Sequence, residues 1–214
     1  MQASIDNHLA KQSNLPMPTE FNIPLAGQVE GTATSMILLP HEMMHHLWES
    51  TTGWVTSIMP DAEALPRFWG SFSGHPCMEN HPVKKRGDYM EKAVPLAMHG
   101  DEVPVFGVGK IWARSVLAFS WLSLLATAAG RSAADCNLYV WGVFEKFLIP
   151  EGDEVIGTMQ VFWQIMHWSF SIIYTGKWPS RDWQGKKRLG GFVYELFIHV
   201  RTLAILSCKP SSFS

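Results

Sequence analysis

The sequence predicts an α+β domain in which a hairpin-centred sheet is covered by long aromatic-rich helices. Three observations lead there. An apolar segment of strand length, Ala93-Val-Pro-Leu-Ala-Met-His-Gly-Asp101, is followed almost at once by a second, Val103-Pro-Val-Phe-Gly-Val-Gly-Lys-Ile-Trp112. The Gly100-Asp101-Glu102 corner between them has the chemistry of a tight turn. Two later segments, Asp135 to Leu148 and Val155 to Tyr174, repeat large apolar side chains at helical spacing.

The elements follow in order. Residues 1–35 are polar and carry Pro16, Pro18 and Pro24, which predicts an extended N-terminal arm with at most a short edge strand. Residues 36–208 form one globular domain, and 209–214 a frayed tail. Met36-Ile-Leu-Leu39 leads into a helix over Pro40–Glu49. Proline suits a first helical position, and Glu42 suits the positive end of the helix. Residues 52–92 are broken by Gly and Pro and predict short helices and loops. The hairpin comes next, then an apolar run, Val116 to Ala126, readable as strand or buried helix. Asp135 is placed as the N-cap of the following helix, which Pro150 ends. Trp178-Pro-Ser-Arg-Asp-Trp-Gln-Gly185 is a turn-rich link. Gly190 to Ser207 is a last apolar element.

Composition excludes several classes. The 214 residues include ten Trp, twelve Phe and eleven Met, which is too much apolar surface for a disordered chain. Charged residues are 17% of the chain, against roughly 25% in ordinary soluble domains. The formal net charge of -2 leaves no broad basic surface for a phosphate backbone. What basic surface there is lies at Lys84-Lys85-Arg86 and Lys186-Lys187-Arg188, the two places where DNA would be met. Cys77, Cys136 and Cys208 are odd in number and widely spaced, as in a reducing compartment. The N-terminus has neither a basic stretch nor an apolar one, so the expectation is an intracellular protein without a signal peptide. The stretch 155–176 is long enough to span a bilayer. It carries Gln160, Gln164 and His167 near its middle, which favours a buried helix.

Two motifs carry candidate chemistry. His41-Glu42-Met43-Met44-His45 is a literal H-E-x-x-H. On a helix it puts two imidazoles one turn apart, able to bind zinc while Glu42 activates a metal-bound water. A zinc metallopeptidase would use His41, His45 and Glu42, with Glu63 or Glu79 as a third ligand. The plain alternative is a helix N-terminus with exposed histidines. A second cluster, His75, Cys77 and His81 with His99, matches no standard zinc spacing, and an ordinary loop explains it. Asp101 ends an apolar strand, where a rigidly held carboxylate can bind Mg²⁺. The plain alternative is turn chemistry. Partner carboxylates would come from Asp135, Asp153, Asp182 or Glu195.

Five blocks then carry a resemblance. They are Leu38-Leu-Pro-His-Glu42, Val94-Pro-Leu-Ala-Met-His-Gly-Asp-Glu-Val-Pro-Val105, Phe119-Ser-Trp-Leu-Ser-Leu-Leu125, Trp168-Ser-Phe170 and Gly176-Lys-Trp-Pro179. Together they resemble a multicopy group of uncharacterised algal-protist proteins similar to fragments of RNase H-like (DDE-type) transposases. The His-Gly-Asp-x-Val-Pro segment is similar to the first acidic strand of those enzymes. The resemblance implies an RNase H-like sheet, with Asp101 as the catalytic, Mg-binding position of an active relative. It also implies a second acidic segment after a late Gly-Gly turn. Here Gly190-Gly191 is followed by Phe-Val-Tyr-Glu195, with no Gly-Asp pair. The expectation is therefore an inactive transposase-like or integrase-like fragment from a mobile element. The rival expectations are the zinc metallopeptidase and a non-enzymatic interaction or membrane-associated protein whose exposed tryptophans meet a partner.

Overall fold

A computed structural model describes residues 16–27, 32–104, 115–131, 136–152, 156–186 and 202–205. The fold is mixed α+β. Two strands, β1 (Thr19–Pro24) and β2 (Thr32–Ile37), pair antiparallel as a separate sheet. Short helices α1 (Pro40–Glu49), α2 (Thr51–Ser57), α3 (Ala64–Phe72) and α4 (Tyr89–Lys92) follow. The main sheet holds β3 (Ala93–Pro104), β4 (Ser115–Ser123), β5 (Leu138–Phe144) and β6 (Thr202–Ile205), in the order β5-β4-β3-β6. Its first three strands form an antiparallel meander, and β6 runs parallel to β3 along the other edge. Helices α5 (Leu124–Ala128) and α6 (Thr158–Thr175) complete the described elements.

Helix α6 organises the core. Its apolar positions recur at helical spacing and bury Val161, Phe162, Ile165, Met166, Phe170 and Ile173. Phe162 stacks on Trp141, with ring centroids 5.0 Å apart, and lies 4.5 Å from Phe119. Phe170 meets Trp121 edge-on at 6.5 Å. Each such side chain contributes about 1.5–3 kcal/mol by leaving water. The helix stops at Gly176, whose φ of 65° is the left-handed cap that glycine adopts without strain. Among the described residues no helix is long and apolar enough to cross a membrane.

The prolines and polar residues of the predicted arm conceal β1 and β2. Their inward residues Phe21, Ile23 and Ile37 belong to the core. A backbone bond ties the pair to the main sheet, the Leu38 N–H donating to the Val140 carbonyl at 3.0 Å. Thr158 clamps the opposite end of the pair, where Pro24 faces Thr32. Its hydroxyl donates to the Pro24 carbonyl at 2.5 Å and accepts the Ile149 N–H at 2.9 Å.

Two sequence expectations are corrected. The Gly100-Asp101-Glu102 corner is not a turn. Strand β3 runs straight through it, with Gly100 opposite Phe119 and Asp101 opposite Ala118. The glycine is there for another reason. A Cβ at Gly100 would lie 2.8 Å from the Phe119 ring, so the missing side chain lets that ring lie across the strand. The return strand is β4. Of the second strand expected over 103–112, residues 105–112 lie outside the described residues. The second correction is the helix over Asp135–Leu148, which is strand β5. Pairing slips between Phe119 and Ser120, so that Trp141 and Tyr139 are consecutive partners and Val140 has no opposite residue. That bulge buries Val140, Trp141 and Val143 together, a pattern that imitates helical spacing. Asp135 itself lies outside the described residues. Other expectations stand: α1 starts at Pro40 with Glu42 in its first turn, and α6 occupies most of 155–174. Short helices and turns fill 52–92.

Candidate functional site

Strand β3 places Asp101 on the sheet face opposite α6. Side chains alternate along a strand. Met98 and Gly100 pair with Trp121 and Phe119, the rings that meet α6. Asp101 therefore shares the other face with His99, Val103, Ala118 and Ser120, and it is exposed. The positions across from it are Ala118 on β4 and Gly142 on β5. Neither supplies a second oxygen ligand for a hard cation. Of the four candidate partners, Asp135, Asp153 and Glu195 lie outside the described residues. Asp182 is engaged in its own turn, accepting the Gln184 N–H at 3.0 Å and the Lys186 N–H at 2.8 Å. The described residues do not build a Mg²⁺ site around Asp101.

The H-E-x-x-H residues do sit on a helix, but they point to different neighbours. His41 is fully buried rather than exposed. Its Nδ1 lies 2.9 Å from Ser169 Oγ on α6, and its backbone N–H donates to the same oxygen at 3.3 Å. The ring meets Trp168 and Trp178 edge-on at 5.1 and 5.2 Å. His45, one turn on, meets the same Trp178 ring at 5.6 Å and lies 3.5 Å from Glu49. A single indole thus touches both imidazoles of the motif. Glu42 accepts a bond from Thr19 Oγ1 at 3.2 Å. The motif works as a seam joining α1 to α6 and β1. Among the described residues no three His, Cys, Asp or Glu side chains gather as a metal site. Glu63 instead takes its place at the start of α3, its N–H donating to Asp61 Oδ1 at 2.9 Å.

The second histidine cluster, His99 apart, lies in the short helices and turns before α4. His75 stacks on Phe72, centroids 4.6 Å apart, and His81 Nδ1 accepts the Val83 N–H at 3.2 Å. Of the basic residues, Lys84 and Lys85 are exposed on the turn Pro82–Lys85, and Arg86 lies 3.6 Å from Asp88. Lys186 is exposed, while Lys187 and Arg188 lie outside the described residues.

A hydrogen bond from Arg67 lowers the pKa of Asp61, and one from Lys92 lowers that of Asp88. Burial raises the Tyr139 phenol. Neither carboxylate belongs to the motifs above, so both pairs are local surface features.

A groove that the motifs do not announce runs along the outer side of α6. It is a shallow, largely open cleft of ≈ 690 Å³, lined by Glu151, Gln160, Trp163, Gln164, His167, Trp168, Ser171 and Trp183. Its signal in the sequence is a polar stripe at Gln160, Gln164, His167 and Ser171 in a largely apolar helix. Weighing those residues only as obstacles to membrane insertion hides their common face.

Comparison with family models, with curated proteins and with solved structures finds no match.

Proposed function

We propose that the chain is a transposase-like or integrase-like domain with an RNase H-like sheet that performs no phosphodiester chemistry of its own. The observation that supports this reading is topological. An RNase H-like sheet begins with three antiparallel strands in a meander. It then returns through a helical crossover to a fourth strand, parallel to the first and beside it. Here β3, β4 and β5 make the meander, α6 lies in the connection, and β6 pairs parallel with β3. Asp101 falls on the first strand of that order, as the resemblance implies. The lack of chemistry is argued from residues. Asp101 faces Ala118 and Gly142, and neither supplies a second carboxylate.

Two experiments test the two halves of the reading. Amide and Cα proton contacts by NMR should link Val94 with Leu203 in parallel register; an antiparallel pairing there would remove the fold assignment. Supercoiled plasmid incubated with Mg²⁺ or Mn²⁺ should stay intact with the wild-type chain and with Asp101→Asn alike. Nicking that the substitution abolishes would show an active centre instead.

A further inference from the structure

We infer that the groove on the outer side of α6 is a binding site for an uncharged carbohydrate. The reading stands apart from the transposase-like proposal and rests on the groove's own chemistry. Gln160, Gln164, His167 and Ser171 recur at intervals of four, three and four residues. At 100° per residue they fall within a sector of about 60°. Trp163 and Trp168 lie about 40° beyond that sector on either side. The helix therefore presents a strip of hydrogen-bonding groups walled by two indoles. Trp183, from the turn after Trp178, and Glu151, ahead of the helix, complete the lining. The walls are fixed from behind. Trp163 packs on Phe162 and Phe119 at 5.1 and 5.6 Å, Trp168 Nε1 donates to the Arg181 carbonyl at 3.3 Å, and Trp183 lies against Phe21 at 6.4 Å.

The lining selects among ligand classes. The described lining residues include no Lys or Arg, so a phosphate would meet no countercharge there. A cation would find one carboxylate, Glu151, and would leave the donors of Gln160, Gln164 and Ser171 without acceptors. A sugar ring matches both parts of the site. Its C–H faces lie flat on indole, and its hydroxyls donate and accept as amide, imidazole and serine groups do. The volume of ≈ 690 Å³ lies in the range of small-molecule sites.

The test is calorimetric titration of the full chain with cellotriose, maltotriose and chitotriose, with adenosine monophosphate and tetramethylammonium as competing chemistries. At least one trisaccharide should bind saturably with Kd of about 1 mM or tighter. Trp163→Ala and Gln164→Ala should each weaken that binding about tenfold. Gln164 is exposed and outside the core, so its variant should melt at the wild-type temperature, which separates lost binding from lost folding. The inference is overturned if none of the trisaccharides binds, if Gln164→Ala binds as the wild type does, or if the nucleotide or the cation takes the groove instead.

Discussion

The two faces of the meander β3-β4-β5 are built from the same three strands, yet they differ in nearly every respect. One carries Leu96, Met98, Phe119, Trp121, Trp141 and Val143 and is sealed by α6. The other carries His99, Asp101, Ala118 and Ser120 in its middle, with Ala97 and Leu122 packed into a small separate cluster at one end and Val103, Val116 and Phe144 at the other. The difference teaches where the aromatic richness of the chain goes. Much of it goes to one sheet–helix interface, while among the described residues Asp101 has only Ala118 and Gly142 across from it. A carboxylate at a suggestive place in a sequence acquires chemistry only from what the register sets beside it.

The contrast can be tested from its strongest point down. Phe162→Ala removes the ring shared by Phe119 and Trp141, and chemical denaturation should show a loss of about 3–5 kcal/mol. A loss under 1 kcal/mol would mean that the face is not closely packed. Gly100→Ala should cost about 1–3 kcal/mol, because its methyl must displace the Phe119 ring. Were Gly100 instead a turn residue with no ring over it, the change would be mild. Asp101→Asn, one position along on the open face, should leave stability within about 0.5 kcal/mol. A larger loss would reveal a partner for the carboxylate. The smallest effect belongs to Tyr139, whose phenol has its pKa raised by burial. The neutral phenol is favoured in the folded state, so its contribution is present below the ordinary value near 10 and fades as pH rises through the raised one. Tyr139→Phe should abolish that alkaline decline and change nothing at pH 7, as thermal melts across pH 7–11 would register.

Local rules carry much of the sequence reading and fail at identifiable residues. Pro40 with Glu42, and the apolar repeat of Val161, Ile165 and Phe170, mark α1 and α6 because cap chemistry and helical period act within a few residues. The strand starting at Ala93 is legible for the same reason. Strand β5 is not, because the bulge at Val140 depends on a partner strand that local spacing does not reveal. The Gly100 corner misleads likewise, since the reason for the glycine is a ring on β4. As for the sites, the H-E-x-x-H residues are legible as one stretch of helix, but their contacts with Ser169 and Trp178 come from far along the chain and are not. The groove on α6 is visible only when polar residues inside an apolar helix are read as a face rather than as interruptions.

One bond described above reaches beyond architecture. The Leu38 N–H that meets the Val140 carbonyl joins the N-terminal strand pair to the outer strand of the main sheet. That contact spans much of the chain, so it closes late on any route by which the meander assembles first. Until then the rim of β5 stands open, with its backbone groups at the bulge available to another molecule. The strand pair β1-β2 therefore acts as a guard against edge-to-edge association. A chain shortened past Leu38 should enter aggregates during refolding even where its helices and meander are intact.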